Sequence, residues 1–138
     1  MNEKLLILTV GLPRSGKTTW AREQNLPIVN PDSIRYALHG QRFQALSEPF
    51  VWAIATVMVR SLFLAGHSKV IVDATHNTKK RRDFWKDSAW RIVFKPFDTP
   101  KDICLKRAEG DTEIIPVIER MATQSEPLTQ DEGELYAP

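Results

Sequence analysis

One eight-residue stretch near the N-terminus restricts the possible folds of this chain more than any other feature. Residues 11–18 read Gly-Leu-Pro-Arg-Ser-Gly-Lys-Thr, with an apolar run of strand length before them and a helical pattern after them. A loop that leaves a buried strand and enters a helix points backbone N–H groups and the positive end of the helix dipole at one spot. The stretch therefore predicts a P-loop, which binds the phosphates of a nucleotide.

The positions of this loop have separate predicted roles. Glycine is needed at both ends, because a Cβ would obstruct the turn or the approach of phosphate. Lys17 is expected to reach the β- and γ-phosphates, and the Thr18 hydroxyl is expected to bind Mg²⁺. The residues expected to contact the nucleotide are Gly11, Leu12, Pro13, Arg14, Ser15, Gly16, Lys17, Thr18 and Thr19.

The composition is that of an ordinary folded domain. With 138 residues, 42% of them hydrophobic and 26% charged, the chain is expected to form a single domain, 1–138. The acidic, proline-rich segment 126–138 is expected to be loosely held. The single cysteine, Cys104, excludes an internal disulfide, and we expect a cytoplasmic protein. We expect no membrane segment, and a net charge of +2 does not by itself argue for nucleic-acid binding.

Segments typical of strands and of helices alternate along the chain. Apolar, β-branched runs predict strands at 4–10, 28–30, 69–73 and 90–94. Helices are predicted at 18–24, 32–39, 47–64, 79–88, 100–108 and 116–122. The alternation predicts an α/β fold, a three-layer sandwich with a central parallel sheet of about four strands and helices on both faces. Segment 50–64 is apolar almost all round, so we expect a largely buried helix there.

Three groups of polar residues are expected at the carboxyl edge of that sheet, where ligands bind. Asp73 follows an apolar strand and is a candidate Mg²⁺ ligand, although it could also serve only in a turn. Asp32 and Arg35 lie one helical turn apart, where the carboxylate could accept a proton and the guanidinium could hold an anion. They could equally be a helix cap and a solvated arginine. The basic run 79–82 could contact phosphates or be a solvated helix face.

Four stretches of the chain resemble the kinase half of phage-type polynucleotide 5′-hydroxyl kinases, within the P-loop kinases and AAA-type ATP-binding proteins. The stretches are 8–23, 30–35, 70–75 with Arg81 and Arg82, and 97–100 with the pairs 106–107, 115–116 and 120–121. The resemblance implies a P-loop NTPase fold and transfer of the ATP γ-phosphoryl to the 5′-OH of DNA or RNA, so a nucleic-acid 5′ end would be the partner. It also implies that Asp32 acts as general base and that Arg35 holds the phosphate 3′ of the acceptor nucleoside.

The chain departs from the family pattern at the lid. The family has an arginine in its lid, aimed at the donor phosphates, where segment 107–113 of this chain is acidic. Arg107 is the nearest candidate for that role, Arg120 is a weaker one, and Arg14 could share the charge.

Two other functions stay open. One is a P-loop kinase of a small hydroxylated acceptor such as a nucleoside, a sugar or a sugar-nucleotide, as in toxin-type kinases. The other is a nucleotide-binding module without enzymatic activity. A basic track to the site would favour a polynucleotide, and only the run 79–82 and Arg42 hint at one.

Overall fold

Five parallel strands form one sheet in the computed structural model, which describes residues 3–138. Their order across the sheet is β2-β3-β1-β4-β5. The strands are β1 (Leu5–Val10), β2 (Ile28–Val29), β3 (Lys69–Val72), β4 (Arg91–Pro96) and β5 (Glu134–Leu135). The predicted α/β fold is confirmed, with one strand more than expected, because the last segment of the chain adds β5.

Six helices connect and cover these strands in the described part of the chain. They are α1 (Lys17–Glu23), α2 (Pro31–His39), α3 (Glu48–Leu64), α4 (Lys79–Asp83), α5 (Lys101–Arg107) and α6 (Ile114–Gln124). Single 3₁₀ turns lie at Ala45–Ser47 and Gln130–Glu132. Helix α4 is shorter than the predicted 79–88, because the chain tightens after Asp83. There the Trp85 and Lys86 N–H groups donate to the carbonyls three residues earlier, and the Trp85 side chain is buried.

The sheet has helices on both faces, and alternate residues of β1 point to opposite layers. Leu6 and Leu8 pack in a core with α3, whereas Ile7 packs on the other face with Ala21 of α1. Because β1 and β3 are both central and buried, their carboxyl ends bring the P-loop and the residue after β3 together at one edge.

Helix α3 is less buried than its composition predicts. Only a stripe at four-residue spacing is buried against the sheet, formed by Val51, Ala55, Val59 and Phe63, while Trp52, Ile54 and Leu62 pack against the same core and are partly buried. Phe50, Val57 and Leu64 are exposed. The prediction of a largely buried helix is therefore wrong, because a helix lying on a sheet covers only one side of itself.

The same helix bears on the expectation of no membrane segment. Together with the preceding 3₁₀ turn, the helical stretch Ala45–Leu64 has a mean hydropathy of 1.3, which by length and composition is enough to cross a membrane. Its buried stripe against the sheet is also what a core helix of a folded domain would have.

The acidic tail is anchored rather than loosely held. Arg82 donates to Glu132 over 2.8 Å, and both side chains are at most 3% exposed. Strand β5 pairs with β4, and the Tyr136 N–H donates to the Phe94 carbonyl at 2.8 Å. The expectation for segment 126–138 therefore fails, because a buried ion pair and a strand pairing hold a stretch whose composition shows neither.

Candidate active site

The P-loop joins β1 to α1 as its sequence predicts, and its two glycines are needed for different reasons. A Cβ on Gly11 would lie 2.8 Å from Ser15 Oγ and 3.0 Å from Phe97 Cβ, so this position has no room for a side chain. Gly16 has open space around it but a φ of +102°, a conformation that side chains disfavour. Arg14 also has a positive φ of 66°. These constraints give the loop its shape.

Lys17 is buried within the loop that it is predicted to serve. Its ammonium group donates to the Leu12 carbonyl at 2.6 Å, and the residue is 7% exposed. Burial lowers the pKa of Lys17 to about 8, although the nearby Asp73 carboxylate opposes the shift. An anionic ligand in the loop would favour the charged ammonium.

The two predicted metal ligands meet at the end of β3. Thr18 Oγ1 donates to Asp73 Oδ2 at 2.7 Å, and the Asn30 side-chain amide donates to the same oxygen at 3.1 Å. A hydroxyl and a carboxylate suit Mg²⁺, which takes one or two protein oxygens together with phosphates and water. The described residues hold no cluster of three or more His, Cys, Asp or Glu that could bind a metal. The pair therefore fits a cation held jointly with a nucleotide.

Asp32 and Arg35 lie at the start of α2, and a third residue joins them. Asn30 caps the helix by accepting from the N–H groups of Asp32 and Ser33, so Asp32 is not the cap. Arg35 donates to Asp32 at 2.7 Å and to both oxygens of Glu48 at 2.9 and 2.7 Å. The Asp32 side chain is 67% exposed, whereas those of Arg35 and Glu48 are 15% and 16% exposed.

Sequence reasoning missed Glu48. It lies 13 residues from Arg35, at the first turn of the next helix, and belongs to no recognised motif. Burial alone would lower the pKa of Arg35, but the Glu48 and Asp32 carboxylates together raise it above its usual value. Asp32 is therefore the solvent-facing member of a group of three charged residues, in which Glu48 holds the orientation of Arg35.

Within residues 3–138, Arg14 is the one of the three arginine candidates whose side chain pairs with a carboxylate, Asp111 of segment 107–113. Arg107 donates to the Arg14 carbonyl at 3.1 Å, and Arg14 donates to Asp111 at 2.8 Å. Arg42, from the segment between α2 and α3, donates to both Asp111 oxygens at 2.9 and 2.7 Å. Arg120 is exposed on α6. Sequence reasoning noted Arg42 only as a possible part of a basic track, and it missed Asp111.

The basic run 79–82 does not form one continuous charged face. Arg82 is buried against Glu132, and Lys79 pairs with Asp83 at 2.8 Å. The Arg81 guanidinium lies 5.0 Å from the centre of the Trp52 ring. The run therefore has at least one structural member, and Lys80 and Arg81 are its exposed cations without a carboxylate partner in residues 3–138.

A cavity of about 440 Å³ opens beside Thr18 and Asp73. Most of its wall is apolar and comes from β2, α2 and α3, including Ile28, Ile34 and Ile54. A space of this size beside the predicted metal ligands suits a small organic molecule.

Comparison with known proteins agrees with this geometry. Residues 6–110 match the AAA_33 family model, described as an AAA domain. A chain in the structure of a Pnkp1/Rnl/Hen1 complex is similar over 78% of this chain, with 30% identity and a TM-score of 0.60. The present chain spans 40% of the length of that one.

Kinases of small molecules have a similar fold. A sugar kinase from Janibacter sp. has 19% identity and a TM-score of 0.65, with 98% of this chain and 84% of that chain covered. The Mycobacterium tuberculosis APS kinase CysC, solved with AMPPNP and APS, has 16% identity and a TM-score of 0.58. The match covers 100% of the present chain and 85% of the APS kinase chain. At such identities the likeness shows the P-loop kinase fold alone.

Proposed function

We propose that this chain, a member of the AAA domain family AAA_33 by the match of its residues 6–110, is an ATP-dependent polynucleotide 5′-hydroxyl kinase. The family and the P-loop kinase fold support a phosphotransferase, and the polynucleotide acceptor is the proposed part. The reaction moves the γ-phosphoryl group of ATP to the 5′-OH of DNA or RNA, with release of ADP.

The placement of Asp32 and Arg35 carries the proposal. Both lie on the first turns of α2, and the cap residue of that helix, Asn30, also contacts Asp73 beside Thr18. The start of this helix therefore carries a solvent-facing carboxylate and a guanidinium, and Asn30 links it to the residues that would hold a donor nucleotide. Phosphoryl transfer requires mainly positioning and charge neutralisation, and these residues can supply both.

Each residue has a role in the proposed reaction. Lys17 and the loop N–H groups bind the donor phosphates. As the acceptor oxygen bonds to the γ-phosphorus, Asp32 accepts the hydroxyl proton, and the bond to the bridging oxygen of ADP breaks. Arg35 binds the phosphate 3′ of the acceptor nucleoside. Mg²⁺ held by Thr18 and Asp73 would neutralise charge on the donor phosphates.

Two observations favour a second candidate, a kinase of a small hydroxylated acceptor. The cavity of about 440 Å³ beside Thr18 and Asp73 has the size of a small-molecule site. In addition, Glu48 already neutralises part of the charge with which Arg35 would hold a phosphate.

Transfer of labelled γ-phosphate separates the candidates. The acceptors are a 5′-OH oligonucleotide, a nucleoside 3′-monophosphate, and a panel of alcohols and sugars, each tested with wild type, Asp32→Asn and the exposed control Asp131→Asn. We expect labelled oligonucleotide, an Asp32→Asn rate lower by roughly 10²–10⁴-fold with ATP binding retained, and an unchanged control. Label only on a small acceptor supports the second candidate. ATP binding without any labelled acceptor supports the nucleotide-binding module.

A further inference from the structure

We propose that Arg42 and Arg14 are the donor-phosphate arginines of this chain, and that the Asp111 carboxylate occupies them until a nucleotide takes its place. The inference rests on the donor half of the proposed function, the binding of ATP by the P-loop, and is independent of the acceptor. It identifies residues that could supply the positive charge that the acidic segment 107–113 lacks.

Asp111 connects three separate parts of the chain. It lies between α5 and α6, and its Oδ2 accepts from Arg42 at 2.7 Å and from Arg14 at 2.8 Å. Its Oδ1 accepts from Arg42 at 2.9 Å and from the Ile114 N–H at 3.3 Å. Arg14 comes from the P-loop and Arg42 from the segment after α2. One carboxylate therefore joins the P-loop, the segment between α2 and α3, and segment 107–113.

The contacts of Asp111 are those that a phosphate would make. Arginine binds a carboxylate and a phosphate through the same pair of parallel N–H groups, so the two anions compete for one guanidinium. Arg42 holds the pKa of the Asp111 carboxyl well below its usual range, which keeps it an anion. Glu113 also lies 3.6 Å from Arg42, but its side chain is 77% exposed, so the second guanidinium charge is offset only by a carboxylate that faces solvent.

The position of the arginines directs them to the donor. Arg14 is within the phosphate loop, and its carbonyl is held by Arg107. The Arg42 guanidinium reaches the same Asp111 oxygen as Arg14, so the two cations stand side by side at the rim of this loop. Their side chains are 33% and 42% exposed, so exchange of Asp111 for another anion needs no unfolding.

ATP affinity measured by titration calorimetry, without any acceptor, tests the proposal. Asp111→Asn removes the competing charge and keeps the side-chain shape, so we expect it to tighten ATP binding by about fivefold, the worth of one exposed ion pair. Arg42→Gln and Arg14→Gln should each weaken ATP binding, and the gain from Asp111→Asn should disappear in a variant that carries both arginine changes. Glu109→Gln, an exposed change in the same segment, should leave the affinity unchanged.

Each other result overturns the proposal. If Asp111→Asn weakens ATP binding or leaves it unchanged, or if its gain survives when Arg42→Gln and Arg14→Gln are both present, the ion pairs are structural only. Thermal unfolding of each variant checks that the fold is kept. The test is separate from that of the proposed function, since a protein that phosphorylates no polynucleotide still gives an ATP affinity, and loss of the affinity pattern leaves the acceptor open.

Discussion

Arg35 donates to both carboxylate oxygens of Glu48, at 2.9 and 2.7 Å, while a third N–H reaches Asp32. A bidentate pair of this kind restricts the plane of the guanidinium as well as its distance. The orientation of Arg35, and through it that of the solvent-facing Asp32 carboxylate, therefore depends on a residue of α3.

Glu48→Gln is expected to affect the acceptor and not the donor. The amide keeps one hydrogen bond to Arg35 but loses the bidentate ion pair, so Arg35 is held less firmly. We expect a KM for a nucleoside 3′-monophosphate raised by roughly tenfold, with ATP affinity unchanged and the bare nucleoside less affected. Steady-state kinetics with both acceptors measure this, and an equal loss with both would remove the role of Glu48 in positioning Arg35.

ATP binding is expected to depend on pH through Lys17. The pKa of this residue in the folded protein is about 8, so its amino group is about half protonated at pH 8 and mostly neutral above pH 9. Bound phosphates favour the charged form. We therefore expect proton uptake on binding near pH 8 and an affinity that falls as the pH rises further.

Calorimetric titration at pH 8, in two buffers of different ionisation enthalpy, measures the proton uptake. Lys17→Arg serves as the control, because its guanidinium stays protonated and should take up no proton at this position. A flat affinity between pH 7 and pH 9 in the wild type would show that Lys17 is charged before the nucleotide binds.

His76 is expected to make the fold sensitive to acid. The residue is 2% exposed, its Nδ1 lies 2.6 Å from the Thr9 carbonyl oxygen, and burial lowers its pKa from 6.5 to about 4. Between these values the unfolded chain binds a proton that the folded chain does not, so the free energy of unfolding falls as the pH drops from 6.5 to 4. The difference is about 3 kcal/mol for a shift of this size.

Denaturant unfolding at pH 4.5 and pH 7 tests this, with His76→Asn as the comparison. Asparagine tolerates the positive φ of 44° at this position and keeps a donor for Thr9. The variant should lose less stability than the wild type between the two pH values. Equal losses would assign the acid sensitivity to the carboxylates alone.

The buried pair of Arg82 and Glu132 is expected to hold the C-terminal segment in place. Glu132→Ala leaves a guanidinium that is 1% exposed without its carboxylate, which typically costs about 3–5 kcal/mol. Replacing both residues, as Arg82→Met with Glu132→Leu, should cost less than the single change, because no buried charge is left alone.

Thermal unfolding measures the stability of these variants, and hydrogen exchange of the Glu134–Leu135 amides reports on β5. If the double variant is less stable than Glu132→Ala, the tail is held mainly by its backbone pairing to β4. We expect a folded double variant to retain phosphoryl transfer. That result would show that the reaction does not need Arg82, although the basic residues next to it suggest contacts with the acceptor.

Much of the site could be predicted from the sequence because it depends on local patterns. Lys17 and Thr18 belong to one contiguous loop, and Asp73 follows an apolar strand, so parallel pairing of β1 with β3 places Thr18 and Asp73 together. The helix-cap alternative for Asp32 could not be decided in this way. Asn30 and Asp32 are both good capping residues, and the structure makes Asn30 the cap.

The sequence by itself determined the phosphate loop, the parallel α/β sheet and the edge at which the candidate residues lie, because glycine positions, apolar runs and the alternation of strands with helices are patterns of short stretches of chain. Only the tertiary structure decided which charges pair. Arg35 meets Glu48 across 13 residues, Arg82 meets Glu132 across 50, and Arg42 meets Asp111 across 69. Such pairs depend on how whole helices and loops lie against one another, and a charged residue has the same local pattern whether it faces solvent or a partner.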